Sequence, residues 1–135
     1  MIRWLDHTAD VQIEITCDFF EEVFSELVEG ICRILVAGEI RNAEKRCVDL
    51  TEPTAEELLV SMGRMALRLF YGDGWIPCKL KIHEASRTRL RGDLWGELFD
   101  PKHHTCQMEI KGITYHALSL ERKGEKWRAV VTFDV

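Results

Sequence analysis

The chain reads as a two-layer α+β domain: a mixed, largely antiparallel β-sheet covered on one face by two amphipathic helices. Two apolar stripes of helical period, each behind a capping signal, occupy its first half. From residue 78 onward, apolar positions recur at every second residue over four successive segments. The order is strand, helix, strand, helix, then strands. Such an order lets both helices bury their stripes on one extended surface, without alternating βαβ units.

Val11, Ile13 and Ile15 alternate with Gln12, Glu14 and Thr16, the pattern of a strand with one wet face. A helix follows: Asp18 and Glu21 stand at capping-box spacing, and Phe20, Val23, Phe24, Leu27, Ile31, Ile34 and Leu35 form a stripe that breaks at Gly38. Residues 39–50 are mixed in polarity, with Arg46–Leu50 the best strand among them. Thr54 and Glu57 repeat the capping signal before Leu58, Leu59, Met62, Met65, Ala66, Leu69 and Phe70, and Gly72-Asp73-Gly74 closes this second helix. Residues 78–85, 87–95, 109–121 and 126–133 read as extended. Gly124, between Lys123 and Glu125, supplies the turn of a final hairpin.

A length of 135 residues suits one domain over 1–135, large enough to bury a core without staples. With 46% hydrophobic residues the composition excludes wholesale disorder, and no apolar run is as long as a membrane span. The opening Met1–Asp6 looks like the start of a folded segment and not like a signal peptide. Cysteines at 17, 32, 47, 78 and 106 are odd in number and too widely spaced for a local Cys-x-x-Cys motif. Buried or inert thiols of a cytoplasmic protein are expected, with no disulfide-linked partner. A formal charge of −5 disfavours broad attraction to phosphate backbones. Arg87, Arg89 and Arg91 nevertheless alternate along one expected strand, and their shared face suits RNA, an acidic protein surface or water.

The last strand ends with Asp134 beside the carboxylate of Val135, and Asp6-His7-Thr8-Ala9-Asp10 forms an acidic turn before the strand at 11–15. Oxygen donors of this kind suit Ca²⁺ better than Mg²⁺, which demands a tighter octahedron; ordinary turn chemistry is the alternative. His7, between two aspartates, is positioned to orient one of them as an outer hydrogen-bond donor. Catalytic signatures are missing: no Gly-rich phosphate loop, Gly-x-Ser-x-Gly elbow or His-Glu-x-x-His pair occurs. His103, His104 and Cys106 offer metal donors but lack a spaced fourth ligand, so they read as an exposed polar loop. On an unbroken strand His116 shares a side with Thr114 and Gly112, while Lys111, Ile113 and Tyr115 take the other. Without a paired nucleophile, His116 is a hydrogen-bonded structural residue before it is a partner contact or a general base. A hydrolase built on Asp10 and His116 would require turnover by the isolated protein.

Taken together, Asp6-His7-Thr8-Ala9-Asp10, Lys111-Gly112-Ile113-Thr114-Tyr115-His116 and Phe133-Asp134-Val135 resemble the archease family. The resemblance spans the chain, with support from Leu58-Leu59 and from Gly96-Glu97-Leu98-Phe99-Asp100. Gly112-Ile113 departs from it, since the family more often has Ala-Val there. The resemblance implies a protein that is not itself an enzyme but an activator of RtcB-type RNA ligases. Those ligases join 2′,3′-cyclic or 3′-phosphate ends to 5′-hydroxyl ends in tRNA splicing and RNA repair. The activator is expected to promote guanylylation of the ligase histidine and to sustain multiple turnover. It further implies a divalent-cation site of Asp10, Asp134 and an oxygen of Val135, with calcium foremost and other divalent cations as alternatives. Lys111 becomes a charge contact to the ligase or its nucleotide, while Asp6, His7 and His116 support the site or the partner contact. tRNA is then met mainly through the ligase. The alternative is a small RNA-binding or chaperone-like module using the face of Arg87, Arg89 and Arg91.

Overall fold

The computed structural model describes residues 1–5 and 10–135. In chain order the elements are β1 (Ile2–Leu5), β2 (Asp10–Cys17), α1 (Glu22–Leu35), β3 (Val36–Ala37), β4 (Glu44–Thr51), α2 (Ala55–Asp73), β5 (Trp75–Ala85), β6 (Arg89–Leu98), β7 (Thr105–Cys106), β8 (Gly112–Lys123) and β9 (Lys126–Asp134). Among them β1-β2-β9-β8 form one sheet, β4-β6-β5 a second, and β3-β7 a two-stranded piece. Every pairing in these sheets is antiparallel.

The alternation read in residues 11–16 sets the register of the first sheet. Ile13 lies opposite Val131 and Ile15 opposite Ala129, all four with no exposed surface, whereas Gln12 and Thr132 pair on the other face. A one-residue slip would turn the apolar set to water, so the pattern fixes the pairing. Both helices cover that apolar face, as expected. A Cβ at Gly30 of α1 would stand 3.2 Å from Ile13 Cδ1, and one at Gly63 of α2 would stand 2.8 Å from Ile113 Cδ1. The stripes are buried accordingly: Phe24, Leu27, Ile31, Leu35, Leu58, Leu59 and Met62 lose all contact with solvent. Burying each such side chain is worth roughly 1.5–3 kcal/mol. α1 and α2 also reach β5, so the second sheet closes on the same core.

The two helix starts differ. Thr54 Oγ1 accepts from Glu57 N–H at 3.1 Å, and Gly74 takes the left-handed conformation (φ 64°) that ends α2, both as the sequence predicts. α1 starts at Glu22, beyond the expected box. Its N-cap Glu21 makes no side-chain capping bond. Instead Glu22 Oε1 accepts from Phe19 N–H at 2.9 Å, and Asp18 binds Lys126. The capping signal is therefore displaced by one residue, because Asp18 has a cationic partner on the final hairpin.

Two irregularities bear on the sites below. β5 is bulged between Pro77 and Lys79 and between Ile82 and Glu84, and its backbone presses on Gly96 and Gly92 of β6. β8, expected as one continuous strand, loses its pairing between Thr114 and Ser119, and Ala117 adopts a positive φ of 57°. Among the described residues, no helix is long and apolar enough to cross a membrane.

Candidate functional site

At one end of the first sheet, Asp10 on β2 pairs directly with Asp134 on β9, and Asp134 pairs in turn with Gly112 on β8. Directly opposed residues carry their Cβ atoms on the same face, about 5 Å apart. Asp10 and Asp134, at the two ends of the sequence, thus form one rung on the face away from the helices. Main-chain bonding ties the rung to the segment before β8: Lys111 N–H donates to the Asp134 carbonyl oxygen at 2.7 Å. Gly112 leaves room beside the carboxylate, since a Cβ there would stand 4.0 Å from Asp134 Oδ2. Asp134, Val135 and the Lys111 side chain are exposed, and Asp10 is half-buried.

Charge along this face changes with distance from the rung. The next rung is neutral, with Gln12 Nε2 donating to Thr132 Oγ1 at 2.9 Å. Farther on, buried Glu14 lies between Arg3 (3.0 Å) and Arg128 (2.6 Å). Like charges directly opposed on neighbouring strands are unfavourable, and a divalent cation would relieve that repulsion. The rung's side-chain oxygens are carboxylate oxygens, which are hard donors. Two carboxylates do not complete a coordination sphere. No group of three or more His, Cys, Asp or Glu placed to hold a metal ion occurs among the described residues. Asp6 and His7, expected to support the site, lie outside the described residues.

His116 falls in the stretch of β8 where pairing with β9 lapses. Its N–H donates to Thr114 Oγ1 at 3.1 Å, and the residue is exposed. Neighbouring Tyr115 receives the Arg64 guanidinium over its ring at 5.5 Å.

Arg87, Arg89 and Arg91 do not form an open basic row. Arg87 precedes β6 and stacks over Trp127 and Phe20, at 5.5 and 5.9 Å. Register sets Asp49 and Glu84 on either side of Arg91. Arg89 pairs with Asp49 at 3.3 Å and Arg91 with Glu84 at 3.4 Å, and the Arg89 contact holds the Asp49 carboxyl below its usual range. Sequence reading missed these partners because they come from β4 and β5.

The loop of His103, His104 and Cys106 departs from expectation at its middle residue. His103 and Cys106 are exposed, whereas His104 is buried. His104 Nδ1 accepts from Asp100 N–H at 2.9 Å, and Nε2 lies 3.1 Å from Glu97 Oε2. With both ring nitrogens engaged, His104 fastens this loop to β6. The Glu97 carboxyl is held below its usual range by the Arg41 N–H and then by His104.

The sequence profile of the Archease protein family matches residues 3–135. The chain belongs to the archease family. Protein archease of Saccharolobus solfataricus is 33% identical across 98% of this chain and 96% of its own length. Protein archease of Pyrococcus furiosus is 31% identical over the whole of both chains. A solution structure of a Methanobacterium thermoautotrophicum protein covers 99% of this chain and 98% of its own, with a TM-score of 0.78 at 24% identity, a likeness of fold. Archease membership associates the protein with RNA processing as a non-catalytic accessory, not an enzyme.

Proposed function

We propose that this archease activates an RtcB-type RNA ligase in tRNA splicing and RNA repair, promoting guanylylation of the ligase histidine and repeated turnover. The observation that carries the reading is the Asp10–Asp134 rung, which gathers residues of two family-like segments at one exposed end of the sheet. Asp10, Asp134 and a main-chain oxygen of Val135 would hold a divalent cation, calcium foremost. Its chemistry there is charge neutralisation at a surface that meets the ligase's own nucleotide site. Lys111, exposed beside the rung, supplies a mobile point charge to the ligase or its bound nucleotide. tRNA is engaged through the ligase, since the arginines of the alternative surface have carboxylate and aromatic partners within the protein.

The test is a time course of guanylylated cognate ligase in defined calcium and either magnesium or manganese. Wild-type protein in small amount should accelerate it, while Asp10→Asn and Asp134→Asn at matched circular dichroism should lose most of the acceleration. His103→Ala should be nearly silent. No acceleration by wild type would overturn the partner, and full acceleration by both asparagine variants would overturn the acidic mechanism. Salt-dependent tRNA binding by the isolated protein would instead favour the RNA-binding reading.

A further inference from the structure

We propose that Cys32 and Cys78 form a peroxide-oxidisable dithiol that closes into an intrachain disulfide between α1 and β5. Cys78 is the extra residue of the first β5 bulge: Pro77 pairs with Gly96 and Lys79 with Trp95, leaving Cys78 out of the ladder. A bulge re-aims a side chain, and Cys78, released from the ladder, lines the same cavity as Cys32, each thiol being the foremost influence on the other's titration. Both sulfurs border an open cavity of about 370 Å³ whose wall includes Glu29, Arg33 and Lys79, ample for a molecule the size of hydrogen peroxide. Cys32 is buried and Cys78 half-buried, so the two have unequal access to solvent.

That inequality assigns the roles. The Cys32 thiol is pushed up by Cys78 and by burial and holds its proton, while the Cys78 thiol is pulled down by Cys32. Lys79 on β5 favours the Cys78 thiolate, and Glu29 on α1 and Glu97 on β6 oppose it, with Arg33 facing the same cavity. Thiolate is the reactive form. Cys78 attacks one oxygen of peroxide, the O–O bond breaks, and a sulfenic acid remains as the departing hydroxide is protonated to water. The Cys32 sulfur then attacks the Cys78 sulfur; the S–O bond breaks, and hydroxide leaves with the Cys32 proton as a second water. Two thiols give up two electrons to one peroxide.

The experiment treats full-length protein with hydrogen peroxide and reads intact mass and non-reducing peptide maps. The expected product is a monomer lighter by two hydrogens, with Cys32 joined to Cys78, reversed by dithiothreitol. In a Cys47→Ser/Cys106→Ser background, which removes the exposed thiols, adding Cys32→Ser should leave a Cys78 sulfenic acid that dimedone traps. Adding Cys78→Ser should abolish the fast reaction. Its rate should fall as the pH is lowered and thiolate is lost. Peptide maps of wild type showing only intermolecular bonds through Cys47 or Cys106, or oxidation at Cys32 ahead of Cys78, would overturn the proposal whether or not the variants fold.

Discussion

Gly96 and Gly112 both lie in strands, yet their surroundings set opposite demands. A Cβ at Gly96 would meet the Ile76 carbonyl oxygen at 1.8 Å and its carbon at 2.9 Å, so the bulged β5 backbone would have to move. Gly96→Ala should cost about 3 kcal/mol or more, among the large effects of a single substitution. At Gly112 the nearest atom would be Asp134 Oδ2 at 4.0 Å, and the backbone is not left-handed. Gly112→Ala should therefore gain about 0.5 kcal/mol by restricting the unfolded chain. Urea midpoints decide it, and losses of similar size in the two variants would refute the contrast. Side-chain chemistry was legible only where partners are near in sequence or at strand ends. Asp10 and Asp134 were recognisable at strand boundaries, whereas Cys32 and Cys78 are linked by a bulge that no spacing rule reveals.

The helices were the most readable elements, because a stripe of seven or so apolar residues at helical period has few competing interpretations. Their first turns were less so. Thr54 caps α2 through its own hydroxyl, and Thr54→Ala should destabilise the protein by about 1 kcal/mol. Glu21 makes no capping bond, and Glu21→Ala should fall within about 0.5 kcal/mol of wild type. Equilibrium unfolding of the pair checks this: equal losses would mean that the expected Asp18/Glu21 box forms in solution after all. Strands were legible by alternation and misread where it is interrupted. Thr114 to Ser119 keeps an extended-looking sequence while its pairing with β9 lapses, and residue patterns do not announce a positive φ at an alanine. Division of the strands between β1-β2-β9-β8 and β4-β6-β5 was also hidden, since register partners are chosen across the chain rather than within a window.

The topology gives the acidic end its coherence: β2 and β9, from opposite ends of the sequence, are neighbours, and β8 completes the edge beside Asp134. Such a convergence makes a sharper prediction than loss of activity in single variants. If Asp10 and Asp134 act through one shared cation, removing either leaves the other little to do, and their effects on ligase guanylylation should not multiply. Asp10→Asn/Asp134→Asn should then be no more than about threefold worse than the poorer single variant, with calcium binding lost in all three. Independent contacts to the partner would give losses that multiply, so the double variant would fall to the product of the two. Stability provides the internal control. The rung lies on the face away from the helices, and neither aspartate belongs to the apolar core, so the unfolding midpoints of all three variants should stay close to wild type in calcium-free buffer. Multiplicative losses in the aspartate cycle would refute the shared cation altogether.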